Sequence, residues 1–191
     1  MQAENLHKFT VEEYLALYEK GVFENSVRTQ LLNGDILQLS PIGFRHSETQ
    51  NLIFEFFRGY LDSSKYQIRL NGSIVSDDGF TLLEPDLYII KAGTEVIDNY
   101  LNMNQIEMAV EVADSTLAMD LINDGHTGKL ANYAKGRVNK VWVVDIKGIK
   151  IHEFLYPDQN ALYQQQNIRQ GRINIAEFTD ASALVADLIY V

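Results

Sequence analysis

Two carboxylates stand where a carboxylate is costly. Glu111 lies inside the apolar run Met108-Ala109-Val110-Glu111-Val112, and Asp86 follows Glu84-Pro85 directly before Leu87-Tyr88-Ile89-Ile90. A charge within a buried strand is expensive unless it is paired or holds a metal. Supplied from neighbouring strands, two such groups offer hard oxygen donors of the kind that Mg²⁺ or Mn²⁺ takes. A lysine close by would orient or deprotonate the attacking water. That layout suits phosphodiester hydrolysis, in which a metal activates water and neutralises charge building on the phosphate. Plainer readings stand beside it: Asp86 as a turn or capping residue after proline, Glu111 paired with a core lysine or arginine, Lys129 as a solvated charge on a helix.

Other chemistry fails on spacing. Gly125-His126-Thr127-Gly128-Lys129 resembles a phosphate loop, but the glycine required six residues before the lysine is Asn123 and the Ser or Thr required after it is Leu130. A calcium loop starting at Asp120 has Ile122 at its third position and Ala131 at its twelfth. His7, His46, His126 and His152 show no paired metal-ligand spacing and read as ordinary polar or packed histidines. No serine sits in a Gly-x-Ser-x-Gly turn.

The elements that must carry Asp86 and Glu111 are legible in outline. Thr10 to Glu13 is a capping box that opens a helix ending near Gly21. Asn33-Gly34 between Arg28–Leu32 and Asp35–Leu39 predicts a tight hairpin. Leu52, Ile53, Phe56, Phe57, Tyr60 and Leu61 recur at helical spacing and predict a helix from about His46 to Leu61. Strands are expected at Tyr66–Leu70, Gly72–Ser76, Leu87–Ile90, Ile106–Val112, Lys140–Asp145 and Ile149–Leu155, with helix towards the end of Leu117–Lys135. Gln164–Ile168 and Arg172–Ile175 read as one more hairpin, and Ala181–Val191 is ambiguous. Helices interleaved with strands imply an α/β (α+β) fold, a mixed sheet with helices packed on it.

Composition bounds the function. The 191 residues suit one domain spanning 1–191, and 46% apolar with 22% charged residues is ordinary globular composition. Without cysteine there is no disulfide framework, thiolate zinc site or cysteine nucleophile. Against 26 Asp+Glu stand 16 Lys+Arg, a formal net charge of −10, which counts against nonspecific coating of nucleic acid. A carboxylate-held cation at a phosphate inverts the local charge and remains compatible with it. Met1–Thr10 has no basic-then-apolar leader pattern and no run of eighteen apolar residues exists, so a soluble cytoplasmic protein, off the membrane, is expected.

In order along the chain, Phe9-Thr-Val-Glu-Glu-Tyr14, Gln30-Leu-Leu-Asn-Gly-Asp-Ile36, Ser40-Pro41 followed by His46, Glu84-Pro-Asp-Leu87, Val110-Glu-Val-Ala-Asp-Ser-Thr-Leu117, Lys129-Leu-Ala-Asn-Tyr-Ala134 and Val141-Trp-Val-Val-Asp145 resemble segments of one bacterial family. This is the Uma-two-type family of endonucleases (DUF820-like), a branch of the PD-(D/E)xK restriction-endonuclease-like superfamily. The resemblance covers about residues 10–155, leaving 156–191 as a C-terminal extension of the same domain. It implies a restriction-endonuclease-like mixed central sheet flanked by helices, and metal-dependent hydrolysis of DNA. By it, Asp86, Glu111 and the backbone carbonyl of Val112 hold Mg²⁺ (or Mn²⁺), and Asp86, Glu111 and Lys129 form the catalytic set. The superfamily's plain motif has its lysine two residues after the glutamate, where Ala113 stands here; the Uma-two-type pattern takes it from the next helix, at Lys129.

Two departures accompany the resemblance. Gln30 falls where the family carries an early glutamate; as a possible additional ligand it offers a neutral oxygen, which lowers metal affinity. The stretch from Asp120 to Lys129 is about five residues longer than the pattern, which either moves Lys129 away from the metal or forms a loop over the site. Hence the alternative function: a weakened or inactive nuclease fold acting as a binding or interaction module. A basic groove for DNA would have to come from Arg45, Arg58, Lys65, Arg69 and Lys91. A homodimer is expected for cutting both strands, with Phe154, Leu155, Tyr156 and Tyr163 as a candidate interface patch.

Overall fold

The computed structural model describes residues 6–23, 28–96 and 100–191; Met1–Asn5, part of the leader reading, lies outside them. Elements follow in the order α1 (Val11–Glu19), β1 (Thr29–Leu32), β2 (Asp35–Gln38), α2 (Phe44–Tyr60), β3 (Tyr66–Leu70), β4 (Ile74–Val75), β5 (Leu82–Leu83), β6 (Leu87–Lys91), β7 (Leu101–Asn102) and β8 (Ile106–Ala113). They continue with α3 (Leu117–Asp120), α4 (Gly128–Lys135), β9 (Lys140–Asp145), β10 (Lys150–Pro157), β11 (Tyr163–Arg169), β12 (Arg172–Asn174) and β13 (Ser182–Leu184). Short 3₁₀ turns sit at Met103–Gln105 and Val185–Leu188. No helix among the described residues is long and apolar enough to cross a membrane.

A six-stranded mixed sheet in the order β11-β10-β9-β8-β6-β3 forms the centre. β8 and β9 run parallel, joined by the crossover through α3 and α4, and the remaining neighbours are antiparallel. Side chains alternate between the two faces of each strand. Tyr88, Ile90, Ala109, Ala113, Val141, Val143 and Phe154 pack with Leu130, Tyr133 and Ala134 of α4. Leu87, Ile89, Met108, Val110, Val112, Trp142 and Val144 pack with Ile53 and Phe57 of α2 and with the C-terminal Ile173, Val185 and Leu188. A second sheet, β2-β1-β5-β4-β7, closes the α4 side, and α1 packs on it through Tyr14, Leu31 and Leu82.

The local sequence signals hold. Thr10 Oγ1 accepts from the Glu13 N–H and the Glu13 carboxylate accepts from the Thr10 N–H. Asn33 (φ 51°) and Gly34 (φ 78°) are both left-handed, as the hairpin turn demands. A Cβ on Gly34 would come 2.7 Å from Lys8 Cβ and 3.0 Å from Lys8 Cα. Gly34→Ala is therefore expected to destabilise the protein by about 1–3 kcal/mol in urea unfolding, from left-handed strain plus that collision. Retention of the wild-type midpoint would show that the Lys8 segment moves aside freely.

The helix expected towards the end of Leu117–Lys135 is α4, preceded by the short α3 across the glycine-bearing turn at 121–127. Two expectations change. Gln164–Ile168 and Arg172–Ile175 do not pair with each other. β11 adds to the edge of the central sheet beside β10, whereas β12 pairs with β13, drawn from the ambiguous C-terminus. Adjacency in sequence suggested the hairpin, but the eight-residue β10 offered β11 a longer ladder than the three-residue β12 could. Of the suggested interface patch, Phe154 and Tyr163 are core residues, and Tyr156 alone is well exposed, at 64%.

Candidate active site

The register builds the site. Leu87 pairs with Val110 across the antiparallel β6–β8 ladder, so Asp86 stands opposite Glu111 one step beyond it. Both carboxylates project to the α4 face, Glu111 by alternation with Ala109 and Ala113, Asp86 by alternation with Tyr88. Asp86 Oδ2 accepts the Val112 N–H at 2.7 Å, and His46 Nε2 lies 2.9 Å from Asp86 Oδ1. The Asp86 carbonyl accepts from Gln50 Nε2 at 2.7 Å and from the Asn71 N–H at 3.2 Å, which fixes its backbone. Val112 itself buries its side chain in the α2-side core.

Glu111 is matched from α4. Lys129 Nζ donates to Glu111 Oε2 at 2.6 Å, and the Tyr133 hydroxyl donates to Glu111 Oε1. Lys129 and Tyr133 are four residues apart, hence on one helix face. The pair is sequestered, with side-chain exposures of 19% for Lys129 and 5% for Glu111. The longer Asp120–Lys129 stretch thus does not carry Lys129 away from Glu111. It is held by Asp124, whose Oδ1 accepts the His126 and Thr127 N–H groups at 2.9 and 2.7 Å. The bond from the Thr127 hydroxyl, with those two backbone bonds, lowers the Asp124 pKa to about 2. A third buried carboxylate, Asp120, ends α3 and accepts from the Thr116 hydroxyl.

Electrostatics follow from this crowding. Burial pushes the Glu111 carboxyl up to about 7, further than Lys129 pulls it down, with Asp86 and Asp120 adding to the rise. Asp120 is also raised, chiefly by burial. Burial disfavours the Lys129 ammonium, but Glu111 and then Asp120 outweigh it and its pKa rises. Likewise the hydrogen bond and charge of Asp86 outweigh burial at His46, whose pKa rises.

A pH dependence results. Between about 4.5 and about 7 the folded protein keeps a proton on Glu111 that the unfolded chain has lost. Stability from this group is full below that window and falls as pH rises through it. His46, also raised, acts in the same direction above 6.5. Metal-free protein in EDTA is expected to lose stability in urea melts from pH 5 to pH 8, and Glu111→Gln to flatten the slope. An unchanged slope in the variant would assign the decline elsewhere.

The donor set suits a hard divalent cation in kind: Asp86 and Glu111 supply only oxygens from one face. As they stand, their oxygens are taken by Val112, His46, Lys129 and Tyr133, and no group of three His, Asp or Glu residues among those described is arranged to hold a metal. Gln30 is buried on β1, on the same strand face as Leu32, which packs against the α4-side core, and its Oε1 has no hydrogen-bond partner among the described residues. An unpartnered buried oxygen is a ready acceptor or ligand.

A family model described as "Uma2: Putative restriction endonuclease" matches residues 11–184. The chain belongs to the Uma2 family. Its fold is also that of a solved Uma2-type protein, described as a putative nuclease belonging to DUF820 from Anabaena variabilis ATCC 29413. That structure superposes with a TM-score of 0.70 at 14% identity, covering 94% of this chain and 97% of the other. No curated protein matches. The Uma2 fold accordingly explains the mixed sheet with helices on both faces.

Sequence reasoning named Asp86, Glu111 and Lys129, and the structure brings these three together. It missed His46, Tyr133 and Asp120. Tyr133 was within reach of sequence reasoning, standing four residues after Lys129 on a helix. His46 and Asp120 carried no local signal: His46 lies 40 residues from Asp86.

Proposed function

We propose that this Uma2 chain is a metal-dependent nuclease that hydrolyses phosphodiester bonds of DNA. The observation that carries the reading is Asp86 opposite Glu111 on adjacent strands, with Lys129 Nζ 2.6 Å from Glu111. Asp86, Glu111 and the Val112 carbonyl would hold Mg²⁺ or Mn²⁺, with Gln30 as a further neutral oxygen. Such an ion supplies Lewis acidity and a water of lowered pKa. His46 and the Val112 N–H orient the Asp86 carboxylate, and Tyr133 orients that of Glu111. Lys129 would orient the attacking water and balance charge on the phosphate. Cutting both strands is the work of a homodimer.

A second reading, a binding module on the nuclease fold, is favoured by the surface charges. Arg45 pairs with Asp114, Arg58 with Glu55, Lys65 with Asp62 and Lys91 with Glu107, while Arg69 bonds Gln67. The proposed groove cations are thus mostly neutralised, in a chain of net charge −10.

The test is incubation of supercoiled, linear and single-stranded DNA with Mg²⁺, Mn²⁺ or EDTA, beside calorimetric titration of each cation. Cleavage that needs a cation and stops in EDTA is expected. Neither cleavage nor cation binding at millimolar metal would transfer the assignment to the binding module.

A further inference from the structure

β11 is an edge strand of the central sheet, paired with β10 on one side only. Among the described residues, the main chain of residues 164–169 makes no hydrogen bond outside that ladder. An open edge offers its spare N–H and C=O groups to another strand, and natural edges are blunted by lysine, proline, a bulge or shortness. β11 has none of these. It is seven residues long, Tyr163–Ile168 carries no charge, and its register with β10 runs unshifted from Ile151–Arg169 to Pro157–Tyr163. The opposite edge, β3, is five residues long and carries Arg69. Gln164, Gln165 and Gln166 are exposed, and so is Ile168, at 58%.

We propose that β11 pairs antiparallel with β11 of a second copy about a two-fold axis at Gln166, joining the two central sheets edge to edge. This interface would serve the homodimer of the nuclease reading and rests on that reading for its purpose. A two-fold interface must complement itself, and the amides of Gln164, Gln165, Gln166 and Asn167 do so because each both donates and accepts. Two chains of net charge −10 repel, least where neither brings a charge, as along residues 163–168. About Gln166, Gln164 faces Ile168 of the second copy, Gln165 faces Asn167 and Tyr163 faces Arg169. The Arg169 side chain, 44% exposed beside Glu153, thereby approaches the other copy's Tyr163 end, where Asp158 accepts from Gln164 Nε2 at 2.9 Å. A parallel pairing would set Arg169 against Arg169. Ile168 of one copy also falls in one cross-strand row with Gln164 of the other and with Tyr156, which the register places beside Gln164 and which is exposed too. Two apolar side chains open in the single chain are thus partly covered in the pair.

The experiment uses the full chain without metal or DNA. The chain holds no cysteine, so a single introduced thiol reports only on its own copy in the partner. Residues directly opposite across a ladder have Cβ atoms about 4.5–5.5 Å apart, close to the roughly 3.5–4.5 Å of a disulfide. Gln166→Cys is therefore expected to form a covalent dimer under an added disulfide oxidant. Gln164→Cys, two residues off the axis, and Arg69→Cys, on the β3 edge, are expected to stay single chains on a denaturing gel. Sedimentation of wild type in the micromolar range should show a dimer. Gln166→Lys sets like charges opposite each other and is expected to raise the dimer Kd by roughly tenfold or more with an unchanged far-UV spectrum. A monomeric wild type, a dimer indifferent to Gln166→Lys, or cross-linking as strong at 164 or 69 as at 166 would each overturn the proposal. A monomeric wild type that still cleaves DNA with Mg²⁺ sinks this inference alone. A dimer cross-linked at 166 that cleaves nothing upholds the interface and removes the nuclease reading.

Discussion

Asp86→Asn is expected to lower cation-dependent DNA cleavage by about a thousandfold or more, with little change in stability. A metal-held transition state draws several kcal/mol from charge neutralisation, and each 1.4 kcal/mol is a factor of about ten. Asparagine is nearly the same shape as aspartate. Its carbonyl oxygen can still accept the Val112 N–H, and its backbone carbonyl still receives Gln50 and Asn71. The fold at the start of β6 should therefore survive. What is lost is the negative charge facing Glu111 across the ladder. Initial rates with Mg²⁺, paired with melting curves of both proteins, separate the two effects. Cleavage at the wild-type rate in Asp86→Asn would exclude this carboxylate from the chemistry, whatever its position in the fold. A matching fall in stability would instead show that Asp86 mainly anchors His46 and the Val112 amide.

Trp142→Ala is expected to cost about 3–5 kcal/mol in urea unfolding, the range for deleting a fully buried large aromatic side chain. Trp142 is wholly inaccessible in β9, packs against Phe57 of α2 at 5.9 Å between ring centroids, and donates Nε1–H to Glu153 at 3.4 Å. Its strand is the parallel partner of β8, in register from Met108–Lys140 to Ala113–Asp145. The cavity would thus open beside the strand that presents Glu111. Some loss of activity should accompany the loss of stability, recoverable at lower temperature if only the folded fraction falls. A cost below about 1 kcal/mol would mean that the α2-side core collapses into the space, which the close packing of interiors argues against.

Both expectations rest on residues that stood out before any coordinates, for different reasons. The run Lys140-Val-Trp-Val-Val-Asp145 is apolar and β-branched enough to be a strand in almost any context, and all six residues are buried. Asp86 and Glu111 stood out because burial makes their charges costly. The resemblance that ties them to Lys129 was carried by short ordered segments, and the family match over 11–184 supports it. The 121–127 turn could be read as turn-rich, but whether it displaced Lys129 depended on how α4 docks.

By itself the sequence determined the local conformations: the capping box at Thr10, the left-handed turn at Asn33-Gly34, the strand character around Glu111 and Trp142, and the carboxylate chemistry available there. These depend on a few neighbouring residues and on the penalty for burying charge. The tertiary structure alone decided that Asp86 stands opposite Glu111, that His46 arrives from α2 to meet Asp86, and that Lys129 and Tyr133 both land on Glu111. It alone decided that β11 joins β10 rather than β12. Those outcomes are register and docking choices between segments tens of residues apart, made by the summed burial of two opposite sheet faces. No short window of sequence contains that sum.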